Sequence, residues 1–272
     1  MKHSRWFQPF HFLLLGAGYF SYFASKAGFL MCAVPGLLLL APFPNARIRF
    51  FQLLTCNYLR IFTRHWLPLL GVYRIVEITG TERAAAARPV IFVANHRGFM
   101  DSLLLLSLMP RTGAVIKSRD TRQLTYRLLA KYFDLVSVDR DSLQSVASAR
   151  EKCRGILLAG RNLLVFPEGS RARSGQLQRF NRLAFQLALE TGRPVAPVVI
   201  QSTLPFMAKT PGSYFPSGRN EYRIHFLDLE TPRPEDDADS LSDRAHRRMA
   251  EELRRLDAGT WWEVRRAPPG ER

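Results

Sequence analysis

The chain has 272 residues, enough for one large core or for a core with an accessory region. Lys and Arg outnumber Asp and Glu by 39 to 23, and the formal net charge of +16 favours an anionic partner: nucleic acid, lipid headgroups or a phosphorylated metabolite. Cys32, Cys56 and Cys153 are scattered, without CxxC or a matching Cys/His spacing. This argues against a disulfide framework and a structural zinc site.

The N-terminal segment is far more apolar than the rest of the chain. Between Phe10 and Pro42 the only formal charge is Lys26. The halves on either side of it would each rise about 22 Å as helices, less than the ~30 Å hydrocarbon core. The whole stretch could span a bilayer once with tilt. A hairpin of two short helices in one leaflet is the alternative, which Lys26 near the turn favours. Cys32 is expected to be a small buried hydrophobic residue.

Residues 46–66 have the pattern of a basic amphipathic helix. Three arginines fall near one side and large apolar residues on the other faces: Arg49, Arg60 and Arg64 against Phe50, Leu54, Ile61 and Trp66. The pattern predicts a helix in the membrane interface, with a core-packing helix as the alternative. The basic residues that flank the apolar run place the following domain in the cytoplasm.

Strands and helices alternate from about residue 72. Strands are predicted at 73–78, 89–95, 113–117, 134–139, 162–166, 195–201 and 222–229. Helices are predicted at 101–108, 121–132, 143–160 and 180–192, and a C-terminal helix carries Leu241, Ala245, Met249 and Leu253. The alternation predicts an α/β fold whose mostly parallel sheet is flanked by helices.

The string NHRGFMD, which follows the predicted strand 89–95, places His96 five positions before Asp101. On one helix these side chains would diverge by roughly 140°. They can meet only if His96 lies in a loop and Asp101 in the first turn of the next helix. The carboxylate would then fix the imidazole tautomer and leave the other ring nitrogen to take a proton from a hydroxyl. The alternative is that Asp101 only caps the helix.

The string FPEGSR follows the predicted strand 162–166. Pro167 and Gly169 force a tight turn that can present backbone N–H groups to an anion. Arg171 offers a planar fork suited to phosphate. Glu168 would repel a phosphate, so it is expected to orient Arg171 or to accept a bond from a substrate hydroxyl.

Two further cations, Lys117 and Arg140, follow other predicted strands. Ligands of open α/β sheets bind at the carboxyl ends of strands. His96, Lys117, Arg140 and Arg171 are therefore expected to converge on a site that activates a hydroxyl of a phosphorylated substrate, although each cation alone is more often a solvated surface charge.

These strings carry a family resemblance. HRGFMD matches the H-x-x-x-x-D motif of the glycerolipid acyltransferase superfamily, which includes the bacterial 1-acyl-glycerol-3-phosphate acyltransferases, and FPEGSR is similar to its FPEG-[ST]-R motif. SVDR (137–140) and VAPVVI (195–200) resemble its other two motifs. The four occur in the family's order, and the resemblance covers roughly residues 72–230.

The resemblance implies a glycerol-3-phosphate acyltransferase-like fold with His96 as general base, oriented by Asp101. The residues it implies for substrate binding are Lys117, Arg140, Glu168, Gly169, Ser170 and Arg171. The chain departs from the family at Gly98, where many members have Ser, and at 180–183, where many have Phe, a basic residue and Gly. The second departure leaves the acceptor headgroup open.

The implied reaction moves an acyl group from a thioester of acyl carrier protein or coenzyme A to a lysophospholipid hydroxyl. The first acceptor is 1-acyl-sn-glycerol 3-phosphate, which gives phosphatidic acid. No cofactor or metal is expected, because a thiol leaves readily. Other acceptors (glycerol 3-phosphate, a lyso-aminolipid or a specialised lipid) and a non-catalytic membrane scaffold are the alternatives. Nucleic acid is disfavoured because no reader motif appears; the oligomeric state is left open.

The predicted organisation has three parts. Residues 1–70 form membrane-embedded or interfacial helices, 71–231 the catalytic domain and 232–272 a C-terminal helix and tail. Membrane lipids are expected partners, and the catalytic domain is expected to face the cytoplasm from the inner membrane.

Overall fold

A computed structural model describes residues 7–86, 89–109, 112–117, 123–139, 141–172, 176–203 and 220–258. The strands are β1 Tyr73–Thr79, β2 Ile91–Ala94, β3 Thr112–Lys117, β4 Leu135–Val138, β5 Asn162–Val165, β6 Val195–Ser202 and β7 Asn220–Phe226. The helices are α1 Phe7–Leu39, α2 Pro44–Ile61, α3 Leu67–Leu69, α4 Thr81–Ala86, α5 Met100–Leu108, α6 Leu124–Tyr132, α7 Leu143–Leu158, α8 Leu183–Thr191 and α9 Ala238–Ala258. Each predicted strand is present with its ends shifted by up to three residues, whereas α3 and α4 were not predicted.

The strands form a single sheet in the order β1-β7-β6-β2-β5-β3-β4. Neighbouring strands are parallel except for β6 and β7, so β1 and β7 run opposite to the other five. The predicted α/β fold with a mostly parallel sheet is confirmed. The central strands β2, β5 and β6 are buried along their whole length, as continuous apolar runs in parallel sheets normally are.

Helices cover both faces of the sheet. Alternation along β2 shows the division, because Phe92 and Ala94 join a core with α1, α2 and α5, whereas Ile91 and Val93 join a second core with α7, α8 and α9. The N-terminal helices therefore share a core with the sheet. The division of the chain at residues 70 and 231 stays a prediction.

The N-terminal apolar segment forms one continuous helix. α1 runs for 33 residues, about 50 Å, so the hairpin predicted around Lys26 is wrong. The Lys26 Nζ donates a hydrogen bond of 3.1 Å to Gln123 Oε1 and lies 4.9 Å from the centre of the Tyr22 ring. These contacts accommodate the charge beside the protein without a break in the helix.

One side of α1 faces away from the protein. Its segment Phe12–Leu39 is long and apolar enough to cross a membrane, by length and composition only. The exposed side carries Phe20, Met31 and Leu39, each at least 76% exposed. Cys32 also lies on this side, so its predicted burial is wrong. An apolar run does not by itself reveal which of its faces meets the core.

The predicted basic helix at 46–66 corresponds to α2 and the π-helical turn Phe62–Trp66 that continues it. Its inner side buries Phe51, Thr55 and Leu59, which favours the core-packing alternative. Its outer side exposes apolar residues as well as arginines, Leu53 by 65% and Ile61 by 61%. The helix thus packs on the core and still presents a mixed basic and apolar surface.

Candidate active site

The two motif loops lie at the same edge of the sheet. His96 follows the end of β2, and the FPEGSR turn follows β5. β2 pairs in parallel with β5, and β5 pairs in parallel with β3, whose last residue is Lys117. Adjacent carboxyl ends therefore hold the imidazole, the turn and a cation. Arg140, the other predicted phosphate ligand after a strand, lies outside the described residues.

His96 and Asp101 are in direct contact. The His96 Nδ1 lies 3.1 Å from Asp101 Oδ2, with His96 in the loop and Asp101 in the first turn of α5. The same carboxylate oxygen accepts the backbone N–H groups of Arg97 at 2.6 Å and Gly98 at 2.7 Å. Asp101 therefore fixes both the loop and the imidazole. Both N–H groups precede α5, and the helix has no side-chain cap, so the alternative that Asp101 only caps the helix is wrong.

The bonds to Asp101 determine which imidazole nitrogen can act as a base. Asp101 is 0% exposed, and its carboxylate lies at a helix N-terminus, where the dipole and the N–H groups stabilise negative charge. A carboxylate accepts hydrogen bonds, so the His96 Nδ1 carries the proton and Nε2 keeps its lone pair. The pair thus has the arrangement of a general base with an orienting carboxylate.

Glu168 connects the two motif loops. Its buried carboxylate accepts the backbone N–H of His96 at 2.9 Å through Oε1 and that of Gln178 at 3.2 Å through Oε2. In return, the carbonyl of His96 accepts the N–H of Ala172 at 2.7 Å. Burial raises the pKa of Glu168, while the N–H groups of His96 and Gln178 oppose the rise. Sequence reasoning expected this carboxylate to orient Arg171 or to accept a bond from a substrate hydroxyl, and it missed the bonds to the backbone of His96 and Gln178.

Two other residues around His96 were missed by sequence reasoning. The Phe166 ring stacks on the imidazole at 4.2 Å between centroids. The Asn95 side chain donates to Ile200 O at 2.9 Å and accepts the Ile200 N–H at 2.7 Å, and so holds the start of the loop that carries His96 against β6. Both lie next to motif residues, but only the fold shows what they contact.

The FPEGSR turn has the geometry that its Pro and Gly predicted. Gly169 has a φ of +65° and donates its N–H to Phe166 O at 2.9 Å. Such a φ favours glycine. Gly169, Ser170 and Arg171 then line a cavity of about 730 Å³ together with His96.

This cavity joins the sheet edge to the N-terminal helices. Lys117 and Arg171 are among its polar lining residues. Phe99, which precedes α5, and Leu103 and Leu106 of α5 form part of its apolar wall. α1 contributes Tyr22 and Phe29, and α2 contributes Thr55, Tyr58 and Leu59. The cavity thus combines His96 and several cations with a mostly apolar lining, which suits a molecule with a reactive head and a hydrocarbon chain.

Sequence comparisons relate this chain to known proteins. The family model described as Acyltransferase matches residues 75–201. The putative 1-acyl-sn-glycerol-3-phosphate acyltransferase acl-2 of Caenorhabditis elegans is 30% identical over 184 residues, which are 66% of this chain and 64% of that protein. The 1-acyl-sn-glycerol-3-phosphate acyltransferase of Borreliella burgdorferi is 28% identical over 180 residues, 66% of this chain and 68% of that protein.

The chain carries a domain of the acyltransferase family over residues 75–201. It spans less than two thirds of the length of some of its relatives, for example 52% of the 1-acyl-sn-glycerol-3-phosphate acyltransferase of Cocos nucifera, to which it is 28% identical over 61% of its own length. The fold agrees with the crystal structure of the 1-acyl-sn-glycerophosphate (LPA) acyltransferase PlsC from Thermotoga maritima. The TM-score is 0.69 at 19% identity, over 92% of this chain and 99% of that one.

The segment 180–183, which departs from the motif of the acyltransferase family, contacts the core, the FPEGSR turn and α9. Phe180 is buried and stacks on Phe185. Asn181 donates its side-chain and backbone N–H groups to Pro167 O at 2.7 and 2.9 Å, which ties the segment to the FPEGSR turn. The Arg182 Nε donates to Asp239 Oδ1 at 2.6 Å, although Arg182 also lines the cavity. Arg182 thus forms an ion pair with Asp239, a residue of α9.

Cys153 is not suited to covalent catalysis. It is buried in α7, and burial raises the pKa of its thiol to about 12. Very little thiolate, the nucleophilic form, would exist near neutral pH.

Among the residues with described side chains, no group of three or more His, Cys, Asp and Glu is placed to hold a metal ion.

Proposed function

We propose that this acyltransferase moves a fatty acyl group from a thioester donor to the free hydroxyl of a lysophospholipid, with 1-acyl-sn-glycerol 3-phosphate as its acceptor and phosphatidic acid as product. The observation that carries the proposal is the His96–Asp101 contact, with His96 in the wall of a mostly apolar cavity. The names of the curated relatives support the choice of acceptor.

In the proposed mechanism, His96 Nε2 removes the proton of the acceptor hydroxyl as its oxygen attacks the thioester carbonyl. A C–O bond forms, and the carbonyl oxygen becomes an oxyanion. When the oxyanion collapses, the C–S bond breaks and His96 returns the proton to the departing sulfur. Asp101 holds the imidazole in position and stabilises its transient positive charge. The reaction as written requires no metal or cofactor, because a thiolate leaves readily.

The phosphate of the acceptor is assigned to the cations at this edge, Arg171 and Lys117, with Arg140 as a predicted third. A planar Arg fork and a Lys point charge are both established phosphate ligands. The donor is a thioester of either acyl carrier protein or coenzyme A. The exposed apolar side of α1 supports membrane attachment, with the catalytic domain on the cytoplasmic face of the inner membrane.

The test is acyl transfer by the purified chain, with both donors, to lysophosphatidate, glycerol 3-phosphate and a lyso-aminolipid. Lysophosphatidate should give the highest kcat/KM, and His96→Ala should lower kcat by at least about 100-fold. His65→Ala, at an exposed histidine outside the cavity, serves as the matched control and should retain activity. Full transfer by His96→Ala, or a preference for another acceptor, would contradict the proposal.

A further inference from the structure

The cavity beside His96 extends over the edge of the sheet to both of its faces. Its lining residues Phe29 and Leu59 belong to the core with α1, α2 and α5, whereas Val165 and Leu183 pack in the second core with α7, α8 and α9. His96 follows β2 at the edge between these two faces. The cavity therefore has an arm on each face of the sheet, and His96 lies where the two arms meet.

The arm on the second face is a groove between α7 and α8. Its α7 wall consists of residues at the spacing i, i+3, i+4 and i+7, which share one side of the helix: Leu143, Val146, Ala147 and Arg150. Its other wall consists of residues at the start of α8: Arg182, Leu183 and Gln186. α7 begins after the carboxyl end of β4, so Arg150 lies about 10 Å farther from the sheet edge than Leu143. At this far end an ion pair between Arg150 and Glu190 joins the two helices.

This α7–α8 groove is open to water, unlike the other arm. Leu143 is 89% exposed although it is a large apolar residue, and Arg150 is also exposed. Phe29 and Leu59, in the other arm, are buried. A thioester with its carbonyl at His96 extends in two directions, as a hydrocarbon chain and as the carrier that holds the sulfur. The buried apolar arm suits the hydrocarbon chain, so the open groove suits the carrier.

The groove offers a ligand both apolar and amide contacts. Leu143 and Val146 form an apolar strip along α7. Gln186 is half-buried, and its side-chain amide makes no hydrogen bond to any residue that the structure describes, so it can both donate and accept. A hydrocarbon chain in the groove would cover this amide without replacing its hydrogen bonds to water, which is unfavourable. A ligand with amides of its own would satisfy it.

Arg150 supplies a cation at the far end of the groove. Its side chain is 47% exposed and that of its partner Glu190 is 27% exposed. Ion pairs with this much exposure contribute little stability, so the guanidinium can also bond a phosphate. An apolar strip, an amide and a cation thus lie along one groove that leads away from His96.

We infer that the α7–α8 groove binds the phosphopantetheine arm of the thioester donor. From the sulfur outward, this arm carries a first amide, a second amide, a dimethyl-substituted carbon and a phosphate. Gln186 bonds the second amide, Arg150 bonds the phosphate, and the apolar strip covers the carbon chain with its methyl groups. The inference rests on the proposed acyl transfer and adds the binding site of the donor. Coenzyme A and acyl carrier protein both present this arm, so the groove suits either.

The test uses three oleoyl thioesters that shorten the arm stepwise, with lysophosphatidate as the acceptor. They are the thioesters of phosphopantetheine, of pantetheine, which lacks the phosphate, and of N-acetylcysteamine, which also lacks the second amide. The kcat/KM of the wild type should fall by about tenfold at each step, the effect of one hydrogen bond or ion contact. Equal kcat/KM values for the three thioesters would overturn the inference.

Two variants assign the contacts. Gln186→Leu should lower kcat/KM about tenfold for the phosphopantetheine and pantetheine thioesters and leave the N-acetylcysteamine thioester unchanged. Arg150→Gln should lower kcat/KM for the phosphopantetheine thioester alone. Gln144→Leu and Arg154→Gln make the same changes on α7 at residues that do not line the cavity, and they should leave all three values unchanged. An equal loss with all three thioesters in both groove variants, or no loss, would overturn the inference.

Oleoyl-coenzyme A and oleoyl-acyl carrier protein then distinguish the two sources of the arm. The donor with the higher kcat/KM in the wild type is the preferred one, and both groove variants should lower its kcat/KM about tenfold. A preferred donor that is insensitive to both variants would overturn the inference. Failure of the wild type with every thioester would instead contradict the proposed function.

Discussion

Glu168 illustrates how a residue's role depends on which of its atoms are already occupied. Its place beside an anion-binding turn suggested contact with the acceptor, and the family resemblance implied the same. Both carboxylate oxygens instead accept backbone N–H groups, one of them from His96 itself. We therefore expect Glu168 to act as a positioning residue for the base, in addition to any contact with the acceptor.

This role can be separated from acceptor binding by Glu168→Gln, in which one acceptor oxygen becomes an NH₂ group. A positioning role predicts that kcat falls about tenfold while the KM for lysophosphatidate stays near the wild-type value. Glu235→Gln, at an exposed carboxylate, is the control. A rise in the KM for the acceptor with an unchanged kcat would show that Glu168 mainly binds substrate.

The raised pKa of Glu168 also predicts a pH dependence of stability. Because the folded state holds the proton more tightly than the unfolded chain, this group contributes stability at acidic pH that is lost as the pH rises through its folded-state pKa. Glu168→Gln should therefore flatten the dependence of the unfolding free energy on pH above the usual carboxyl pKa. Urea titrations of the wild type and of Glu168→Gln at several pH values measure this dependence. Parallel curves of unfolding free energy against pH for the two proteins would contradict the prediction.

At the scale of elements, glycines fix the turns that join the strands to the helices. Gly80, between β1 and α4, has a φ of +74°, and a Cβ there would overlap the carbonyl oxygen of Phe226 at the end of β7. Gly160, between α7 and β5, has a φ of +75° with open space around it. The two positions have the same backbone conformation and differ in what surrounds them.

Alanine substitutions at these glycines should therefore differ in their cost. Gly160→Ala pays for the backbone conformation alone, about 1 kcal/mol. Gly80→Ala must also displace the end of β7, so its loss of unfolding free energy should exceed that of Gly160→Ala by at least about 1 kcal/mol. Urea unfolding of both variants in detergent provides the comparison. Equal losses of unfolding free energy would mean that the end of β7 shifts at no measurable cost.

For the molecule as a whole, one helix layer serves two purposes. α1 and α2 bury residues such as Phe29 and Phe51 in the core that covers one face of the sheet, and they also line the cavity. The outer side of α1 carries exposed apolar residues suited to lipid. If α1 lies in the membrane as proposed, this layer would place the cavity beside the bilayer, the source of the proposed lysophospholipid acceptor.

The predicted cytoplasmic orientation can be tested by labelling. We expect an exposed cysteine at Glu235→Cys, in a Cys32→Ala/Cys56→Ala background, to react with a membrane-impermeant maleimide in inverted bacterial inner-membrane vesicles but not in intact spheroplasts. The remaining Cys153 should stay unlabelled because it is buried and its pKa is raised to about 12. Labelling in intact spheroplasts would contradict the predicted cytoplasmic orientation. Labelling of the background protein without Glu235→Cys would show that the probe does not report on residue 235.

The amino-acid sequence determined the parts of this protein that depend on local pattern. Apolar runs such as 162–166 specify buried strands, periodic segments specify helices, and the spacing of His96 and Asp101 requires a loop followed by a helical first turn. The two motif strings also indicated the chemistry, since one string contains both His96 and Asp101 and the other contains the turn residues.

Only the tertiary structure decided how distant segments meet. It joined Glu168 to the backbone of His96 across 72 residues, brought Lys26 of α1 beside Gln123, and left Cys32 facing outward. The physical reason is that a helix or strand pattern reports periodicity, whereas the partner of each face depends on packing between elements far apart in the chain. The same packing gives the cavity beside His96 a wall from the N-terminal helices.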